Sequence, residues 1–458
     1  MPARMQFNLG LGPGAEAAGT SRRGRGPMRL LVMGDFSGRP AAERAPLATR
    51  PTHRVDLDNL DTVMKRLAPR LSLPGGSLEF EEVEDFHPDA LYSRFALFDA
   101  LRQARAAPPA AAGDLLGSLL GRAAGEQGAA ATPAKAPPAA GIEAFIHDIV
   151  APHIVPDTSA QTQSYTAAVD AAIAEQMRGL LHDPAFQRLE SAWRGVSWLI
   201  SSLELDEDLQ LHLLDVGRDE LLADVVAAQG QLARTGLYLA LADRWRNVPG
   251  GESWSAVVGL YRFGPDAKDI GLLAALGLIL AQAGGPLLAE ADPALAGGSA
   301  EALAGWQALR QSEAAPWIGL AAPRVLLRRP YGKTSDPVAA FAFEEFVGRP
   351  AHEDFLWGNP GLALALLLGR AFGARGWDFE PGDERQIDEL PAFSFEVDGE
   401  PQLQACAEHF LGDQAGQALL AAGLMPVLSH KHRNAVTVMR FQTIAEPASA
   451  LPIGRRTT

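Results

Sequence analysis

HDPAFQRLESAWRG, residues 182–195, predicts a capped helix around which the rest of the fold can be assembled. The Asp183 carboxylate can accept backbone N–H bonds at the start of a helix, and Pro184 suits the first helical position. Apolar side chains then recur at helical spacing. An aromatic residue on such a stripe usually belongs to a core, so Trp193 is interpreted as a packing residue. Gly195 is expected to let another element approach closely, because it has no side chain.

A strand and a second helix are predicted after this helix. LQLHLLDV at 209–216 is typical of a buried strand, and Asp219 is placed to cap a helix over 220–228. The short apolar runs 237–241 and 325–327 are interpreted as further buried strands. Long Ala- and Leu-rich helical runs separated by Gly and Pro fill much of the remainder. The chain is therefore expected to have a mixed α/β (α+β) fold.

Composition divides the chain into four stretches. Residues 1–105 alternate strand-like and helix-like patterns, including a helix capped by Asp58, and form the first predicted domain. Residues 106–141 are almost entirely Ala, Gly, Pro and small polar residues, which indicates a linker. Residues 142–446 form a larger mixed α/β domain, and 447–458 are predicted to be a disordered tail. A flexible linker of this length would span about 30–35 Å and keep the two domains at an effective concentration on the order of millimolar.

A short apolar island lies within the linker. Residues 114–122 place four leucines at helical spacing behind Asp114. These are Leu115, Leu116, Leu119 and Leu120. Such an island is a candidate docking peptide, although a helix that simply packs onto its own domain would show the same pattern.

The composition excludes several function classes. Forty Lys and Arg against fifty-five Asp and Glu give a net charge of −15, which argues against broad electrostatic binding of nucleic acid or an anionic membrane. One cysteine, Cys406, cannot form an internal disulfide, so a reducing compartment and a cytoplasmic location are expected. The uncharged runs 270–289 and 355–369 are interpreted as buried helices because Gly, Pro or Asn interrupts each. No direct membrane insertion is predicted.

Two motif-like stretches fail on their chemistry. Gly332-Lys-Thr334 matches the end of a nucleotide-binding loop, but Leu327 stands where that loop needs its first glycine. Residues 251–255 approach the GxSxG nucleophile motif but end in serine. We therefore predict no catalytic residues and no cofactor.

The sequence predicts neither a metal site nor a pair of carboxylates that act together as acid and base. Cys406 and His409, with His430 and His432 further along, do not have the usual spacing of zinc ligands, so no metal site is predicted. The adjacent carboxylates Glu344–Glu345 point to different sides of any regular element and are interpreted as a solvated surface.

Ordered motifs in the first domain resemble the small subunit of the type VI secretion contractile sheath. They are LVMGDFSG at 31–38, VDLDNLDTVM at 55–64, APRL at 68–71, and DFHPD at 85–89 with LF at 97–98. Beyond the linker, the chain resembles the large sheath subunit. The matching stretches are 182–195, 214–224, 312–313 with 317–320, 323–324, 329–332, 341–346 and 356–359. The motif residues are interpreted as scaffold: Asp35, Gly38, Trp193, Arg194, Gly195, Arg324, Tyr331, Gly332, Trp357, Gly358 and Asn359.

The resemblance implies a structural protein, a fused small and large subunit that assembles around an inner tube to drive effector delivery. It implies self-association into a helical sheath and contacts with the hexameric inner-tube protein, the baseplate and an AAA+ recycling ATPase. The four linker leucines are its implied ATPase-docking residues. It does not imply an enzyme, which would require a bound metal or nucleotide.

The resemblance also leaves alternatives. The large-subunit family is expected to continue beyond residue 446, so this chain would lack assembly surface at its C-terminus. A second hypothesis is therefore an accessory or regulatory paralogue that binds sheath, inner tube or baseplate without building a tube. Residues 4–10 and 435–443 are candidate edge strands, and each either pairs with a neighbouring subunit or completes its own sheet.

Overall fold

The computed structural model describes residues 26–73, 76–106, 158–245, 251–299, 301, 303–397 and 399–453. Its strands are β1 (Met28–Gly34), β2 (His53–Val55), β3 (Arg70–Leu73), β4 (Gly76–Glu79), β5 (Leu209–Asp215), β6 (Ala256–Phe263), β7 (Leu287–Ala291), β8 (Ile318–Ala322), β9 (Val325–Leu326), β10 (Trp357–Gly358), β11 (Gln386–Ile387), β12 (Phe393–Val397), β13 (Glu400–Gln404), β14 (Met425–Ser429) and β15 (Val436–Val438). Nine of these form one sheet in the order β11-β15-β14-β8-β7-β6-β1-β5-β2, with β1, β5, β6, β7, β8 and the start of β14 parallel. The other six form three two-stranded sheets.

Eleven α-helices accompany the sheet in the described ranges. They are α1 (Leu60–Leu67), α2 (Pro88–Arg94), α3 (Asp99–Ala106), α4 (Thr158–Leu181), α5 (Pro184–Ser202), α6 (Arg218–Ala227), α7 (Gly236–Tyr238), α8 (Ala267–Ala283), α9 (Ala304–Arg310), α10 (Pro360–Arg375) and α11 (Asp413–Ala421). One core contains residues of α4, α5 and α10, and a second contains residues of α6, α8 and α9. The predicted mixed α/β fold is confirmed.

Strand β1 lies in the middle of the sheet although it comes from the first stretch of the chain. It pairs in parallel with β5 and β6, with Met28 opposite Leu209 and Leu30 opposite Ala256. All seven β1 residues are buried. Leu30 belongs to one core and Leu31 to the other, because successive side chains point to opposite faces of a sheet. A strand covered on both faces explains the nearly continuous apolar run MRLLVMG.

Several local predictions agree with the structure. Asp183 caps α5 through its Oδ1, which accepts the backbone N–H groups of Ala185 at 2.8 Å and Phe186 at 3.0 Å. The predicted strand at 209–216 is β5. The apolar runs 270–289 and 355–369 fall largely in α8 and α10, whose side chains are mostly buried. Across the described residues, none of the helices combines the length and apolar character that crossing a membrane requires.

The predicted strand at 237–241 is wrong. These residues form α7 and a π-helical turn, Leu239–Asp243. Thr235 accepts the N–H of Tyr238 at 3.1 Å, and the Asp224 carboxylate accepts the N–H of Leu237 at 3.0 Å. These acceptors start a helix, whereas a short apolar run by itself does not distinguish a strand from a buried helix.

Two predicted caps are displaced. Helix α6 begins at Arg218 behind Gly217, so Asp219 lies inside the first turn. Helix α1 begins at Leu60 behind Asn59, and the carboxylate of Asp56 accepts the backbone N–H of Asn59 at 3.1 Å. Neither Gly217 nor Asn59 makes a side-chain capping hydrogen bond, so both helices begin without the carboxylate cap that the sequence predicts.

Within the predicted tail, residues 447, 448 and 450 are exposed, whereas Leu451 and Ile453 are buried. Leu451 is only 3% exposed and approaches Gly319 in β8, where the missing side chain leaves room for it. The predicted division into domains remains a prediction, and strands from both sides of the linker lie in the same sheet.

Candidate functional site

Helix α5 meets the turn that follows β1. The indole of Trp193 is fully buried, and its Nε1 donates to the Phe36 carbonyl oxygen at 2.9 Å. The two rings pack edge to face at 5.4 Å. On the same helix, a Cβ at Gly195 would lie 2.4 Å from Leu362 Cδ1 of α10. The close approach expected at this glycine is present, and Trp193 is a core residue that binds α5 to the first stretch of the chain.

Charged residues from both sides of the linker form a cluster at the ends of β1 and β5. This junction cluster consists of Asp35, Arg44, Arg50, Asp215 and Glu220. Arg50 holds Glu220 through two contacts, 2.5 and 2.9 Å, and donates to the Asp215 carbonyl oxygen at 2.7 Å. Burial raises the pKa of Asp35, and the Arg44 guanidinium opposes that rise.

The Asp215 carboxylate fixes the turn after β1. Its Oδ1 accepts the backbone N–H groups of Phe36 at 2.8 Å and Ser37 at 3.0 Å. Gly38 ends this turn with a φ of +61°, and a Cβ there would lie 2.3 Å from the Arg70 carbonyl oxygen. Ligands often bind at the carboxyl ends of parallel strands. Here the charged groups are matched with one another, so the junction cluster serves to join segments.

A second charged cluster is buried beneath α5. This buried ion cluster consists of Glu190, Arg194, Arg328, Tyr331 and Glu345. Arg328 bridges the two carboxylates, reaching Glu190 at 2.9 Å and Glu345 at 2.7 Å. Arg194 also pairs with Glu190 at 2.7 Å and donates to the Tyr331 hydroxyl at 2.8 Å. Burial alone would raise the pKa of Glu345, but Arg328 and other donors hold it below its usual value.

The structure corrects the interpretation of the Glu344–Glu345 pair. Glu345 is 1% exposed and belongs to the buried ion cluster. Glu344 accepts the backbone N–H of Lys333 at 3.2 Å, and a Cβ at Gly332 would collide with its carboxylate. Because Gly332 has no side chain, the Glu344 carboxylate occupies the space beside it. A phosphate-binding loop would need free backbone N–H groups in that position.

The remaining motif residues secure the start of α10. Asn359 caps this helix by accepting the Gly361 N–H at 2.9 Å, and its side-chain amide donates to the Tyr261 carbonyl oxygen at 3.2 Å. Trp357 pairs with Leu326 across β10 and β9. Its carbonyl oxygen accepts the Ser191 hydroxyl of α5 at 2.8 Å. Gly358 in the same strand leaves room for the side chain of Leu327, 2.7 Å from where a Cβ would be.

Arg324 makes a two-contact pair with Glu408, 2.6 Å from Nη2 to Oε1 and 3.0 Å from Nε to Oε2. Its guanidinium also lies 5.8 Å from the ring centroid of Trp357. Most of the predicted scaffold residues therefore surround α5 and the strand ends next to it. The four linker leucines, Leu115, Leu116, Leu119 and Leu120, lie outside the described residues.

One of the two candidate edge strands lies within the described residues, as do Cys406 and His430, which were considered as zinc ligands. Residues 4–10 lie outside the described residues, whereas β15 lies between β14 and β11 and thus completes its own sheet. Cys406 is buried, and burial raises its pKa to about 11. His430 contacts Thr437 at 2.8 Å.

Sequence reasoning missed the charged residues that join the motifs. Arg44, Arg50, Glu190 and Arg328 were not singled out, and Glu345 was assigned to the surface, although each is largely buried. Arg328 directly precedes the motif RPYG, and Glu190 lies within the stretch 182–195. Charged residues inside apolar or motif stretches were the signal that could have found them.

Two family models match the chain. Residues 163–445 match the family described as EvpB/VC_A0108, tail sheath N-terminal domain. Residues 15–122 match the family described as Type VI secretion system, VipA, VC_A0107 or Hcp2.

Two relatives from Pseudomonas aeruginosa are similar to separate parts of the chain. The type VI secretion system sheath protein TssC1 is 32% identical over 304 residues, covering 61% of this chain and 61% of that protein. The sheath protein TssB1 is 32% identical over 101 residues, covering 20% of this chain and 59% of that protein. The chain spans about three fifths of the length of the curated relatives it matches.

Proposed function

Because the chain belongs to the tail-sheath family of type VI secretion systems and carries a small-subunit and a large-subunit segment in one polypeptide, we propose that it is a structural protomer of a contractile sheath. The families that it matches are structural sheath proteins. Assembly around the inner tube and contraction to drive effector delivery are the activities proposed for it.

The position of β1 carries the proposal. This strand of the small-subunit segment is hydrogen-bonded between β5 and β6 of the large-subunit segment. The junction cluster and the bond from Trp193 to Phe36 add polar contacts between the same segments. This pairing supports a single protomer that contains one copy of each segment. A regular helical array requires such equal amounts.

The proposed partners follow from this role. Identical protomers joined head to tail, without closing a ring, propagate as a helix. We propose contacts with other copies of the chain, the hexameric inner-tube protein and the baseplate, in the cytoplasm. We further propose that an AAA+ ATPase recycles the assembly through Leu115, Leu116, Leu119 and Leu120.

Negative-stain electron microscopy of the full-length protein, with light scattering on the same sample, tests the proposal. Each sample is measured with and without the inner-tube protein. Hollow tubes and a matching rise in scattered mass are expected. Uniform small particles under both conditions would contradict a tube-forming protomer and favour an accessory protein.

The linker leucines need a separate test. Replacing all four with Ser should abolish binding to the recycling ATPase, measured by pull-down, and leave tube formation unchanged. ATPase binding that is unaltered by this replacement would refute the docking role without affecting the structural one.

A further inference from the structure

Three side chains with metal-ligating atoms meet beside β10. They are His352, Glu408 and His409, and one ligand atom from each lies within 4.8 Å of the others. His352 Nε2 is 2.8 Å from Glu408 Oε1, and His409 Nε2 is 3.9 Å from the same oxygen. His352 is separated from the other two by more than fifty residues of sequence, so no short spacing motif identifies the group.

The surroundings hold two of these side chains in place. The His352 ring stacks on Trp357 at 5.2 Å, and the Trp357 indole donates to the His352 carbonyl oxygen at 2.9 Å. Glu408 Oε2 accepts from the backbone N–H and Nε of Arg324, at 3.2 and 3.0 Å. Its Oε1 accepts from Arg324 Nη2 at 2.6 Å, and a carboxylate oxygen has a second lone pair that can bind a metal ion. Oriented imidazoles and hydrogen-bonded carboxylates are typical of the residues around protein-bound metals.

The third side chain is exposed enough to complete a coordination sphere. The His409 side chain is 55% exposed, and its ring lies parallel to that of His352 at 5.1 Å. Its exposure gives a metal ion and a water ligand access from solvent. Two imidazole nitrogens with one carboxylate oxygen form a donor set that zinc commonly takes, with water in the fourth position.

The charge around the group suits a cation. Arg324 lies against Glu408, but Glu290 and Glu353 also act on that arginine. Arg262, the other nearby cation, lies 3.0 Å from Asp292 and 3.5 Å from Glu290. Burial raises the pKa of Glu290 to about 7, so at neutral pH it carries only part of a negative charge. Glu353 and Glu408 therefore supply most of the negative charge beside Arg324, which lowers the electrostatic cost of adding a divalent ion.

We propose that His352, Glu408 and His409 bind one Zn²⁺ ion. The ion takes the place of the hydrogen bond between His352 and Glu408, and His409 turns toward it. Cys406 is not a ligand, because its buried thiol contacts the Leu390 carbonyl oxygen at 3.7 Å. A bound ion would tie residue 352 to residues 408–409 and so brace the loops that flank β9 and β10.

Zinc titration of the metal-stripped full-length protein at neutral pH tests this site. Isothermal calorimetry gives the affinity, and elemental analysis after desalting gives the stoichiometry. We expect one zinc per chain, with an affinity that falls at least about tenfold in both His352→Ala and His409→Ala. Glu408 is left intact in these variants, because its removal would strand Arg324.

His432→Ala is the matched control, since His432 is an exposed histidine on another loop. Its affinity for zinc should equal that of the parent protein, and circular dichroism should report the same fold for all variants. X-ray absorption of the zinc-loaded protein should show two imidazole nitrogens on the metal. The proposal fails if the parent protein binds no zinc or if either His352→Ala or His409→Ala keeps the parent affinity.

Discussion

Replacing Arg328 with Met is expected to lower the free energy of unfolding by about 3–5 kcal/mol. Arg328 bridges two carboxylates that are almost completely removed from solvent, with Glu190 at 0% and Glu345 at 1% exposure. Met keeps most of the aliphatic volume, so the main loss is electrostatic. A buried charge without its partner is far less stable than the same charge in water.

The contacts that remain in Arg328→Met determine whether the loss of unfolding free energy lies at the lower or the upper end of this range. Glu190 keeps Arg194 at 2.7 Å, whereas Glu345 keeps the Tyr331 N–H at 2.7 Å and has His182 at 3.5 Å. Most of the uncompensated charge therefore stays on Glu345. The loss should lie at the lower end, about 3 kcal/mol, because the Tyr331 N–H and His182 still contact Glu345.

An exposed pair offers a matched comparison. Arg433 lies 2.8 Å from Asp388, and their side chains are 59% and 50% exposed. Arg433→Met should change the free energy of unfolding by about 0–1 kcal/mol, because water screens and solvates both charges. The same chemical replacement is thus expected to differ severalfold between the two sites.

Urea denaturation at neutral pH, followed by tryptophan fluorescence and circular dichroism, measures both variants. The double variant Arg328→Met with Glu345→Gln should recover part of the loss, since it removes the stranded charge. If Arg328→Met costs no more than Arg433→Met, or if the double variant is less stable than Arg328→Met alone, the electrostatic account is wrong.

Three further predictions concern other parts of the structure. Trp193→Phe should cost on the order of 2–4 kcal/mol in urea denaturation, because it leaves the buried Phe36 carbonyl unpaired and opens a cavity. Gly38→Ala should cost about 1–3 kcal/mol, because its left-handed φ and the Arg70 carbonyl both oppose a Cβ. Burial, together with nearby arginines, lowers the pKa of His212 to about 3. Because the neutral form is favoured in the folded state, His212 should contribute stability above pH 6.5 that is lost toward pH 3, by up to about 1.4 kcal/mol per pH unit.

Each of these has a control in the same chain. Gly230 also has a positive φ, but no atom lies within 4 Å of the position that a Cβ would take there, so Gly230→Ala should cost less than Gly38→Ala. Trp198, on the same helix as Trp193, is only partly buried, and Trp198→Phe should have a smaller effect. For the pH effect, His212→Gln should flatten the acid limb of the stability curve, whereas the exposed His432→Gln should not. Equal effects of a variant and its control would contradict the corresponding explanation.

Local signals in the sequence were sufficient for several elements. Asp183 with Pro184 located the start of α5, because a carboxylate cap and a helix-compatible proline act over three residues. The run at 209–216 located β5 because a buried parallel strand needs apolar residues on both faces. Gly195 marked the close approach of α10, because the need for a residue without a side chain falls on that one position.

Long-range partnerships were outside the reach of those signals. Glu345 looked like a surface residue because only the tertiary fold places Arg328 between it and the second carboxylate, Glu190. For the segment at 435–443, the sequence left open whether it pairs with a neighbouring subunit or completes its own sheet, since its alternation does not reveal that β11 pairs with Val436 and Thr437. His352 and Glu408 likewise meet only after the loops around β9 and β10 are in place.

The central position of β1 has a consequence for synthesis of the chain. Met28 pairs with Leu209, which the ribosome adds 181 residues later, and the second neighbour, β6, comes later still. At a translation rate of about 5–20 residues per second, β1 waits roughly 10–40 s with both of its edges unpaired. An apolar strand in that condition is a template for wrong pairing. Slower synthesis lengthens this interval and would favour binding of a chaperone near residues 28–34. Aggregation during expression should therefore depend more on the rate of translation than on the stability of the folded protein.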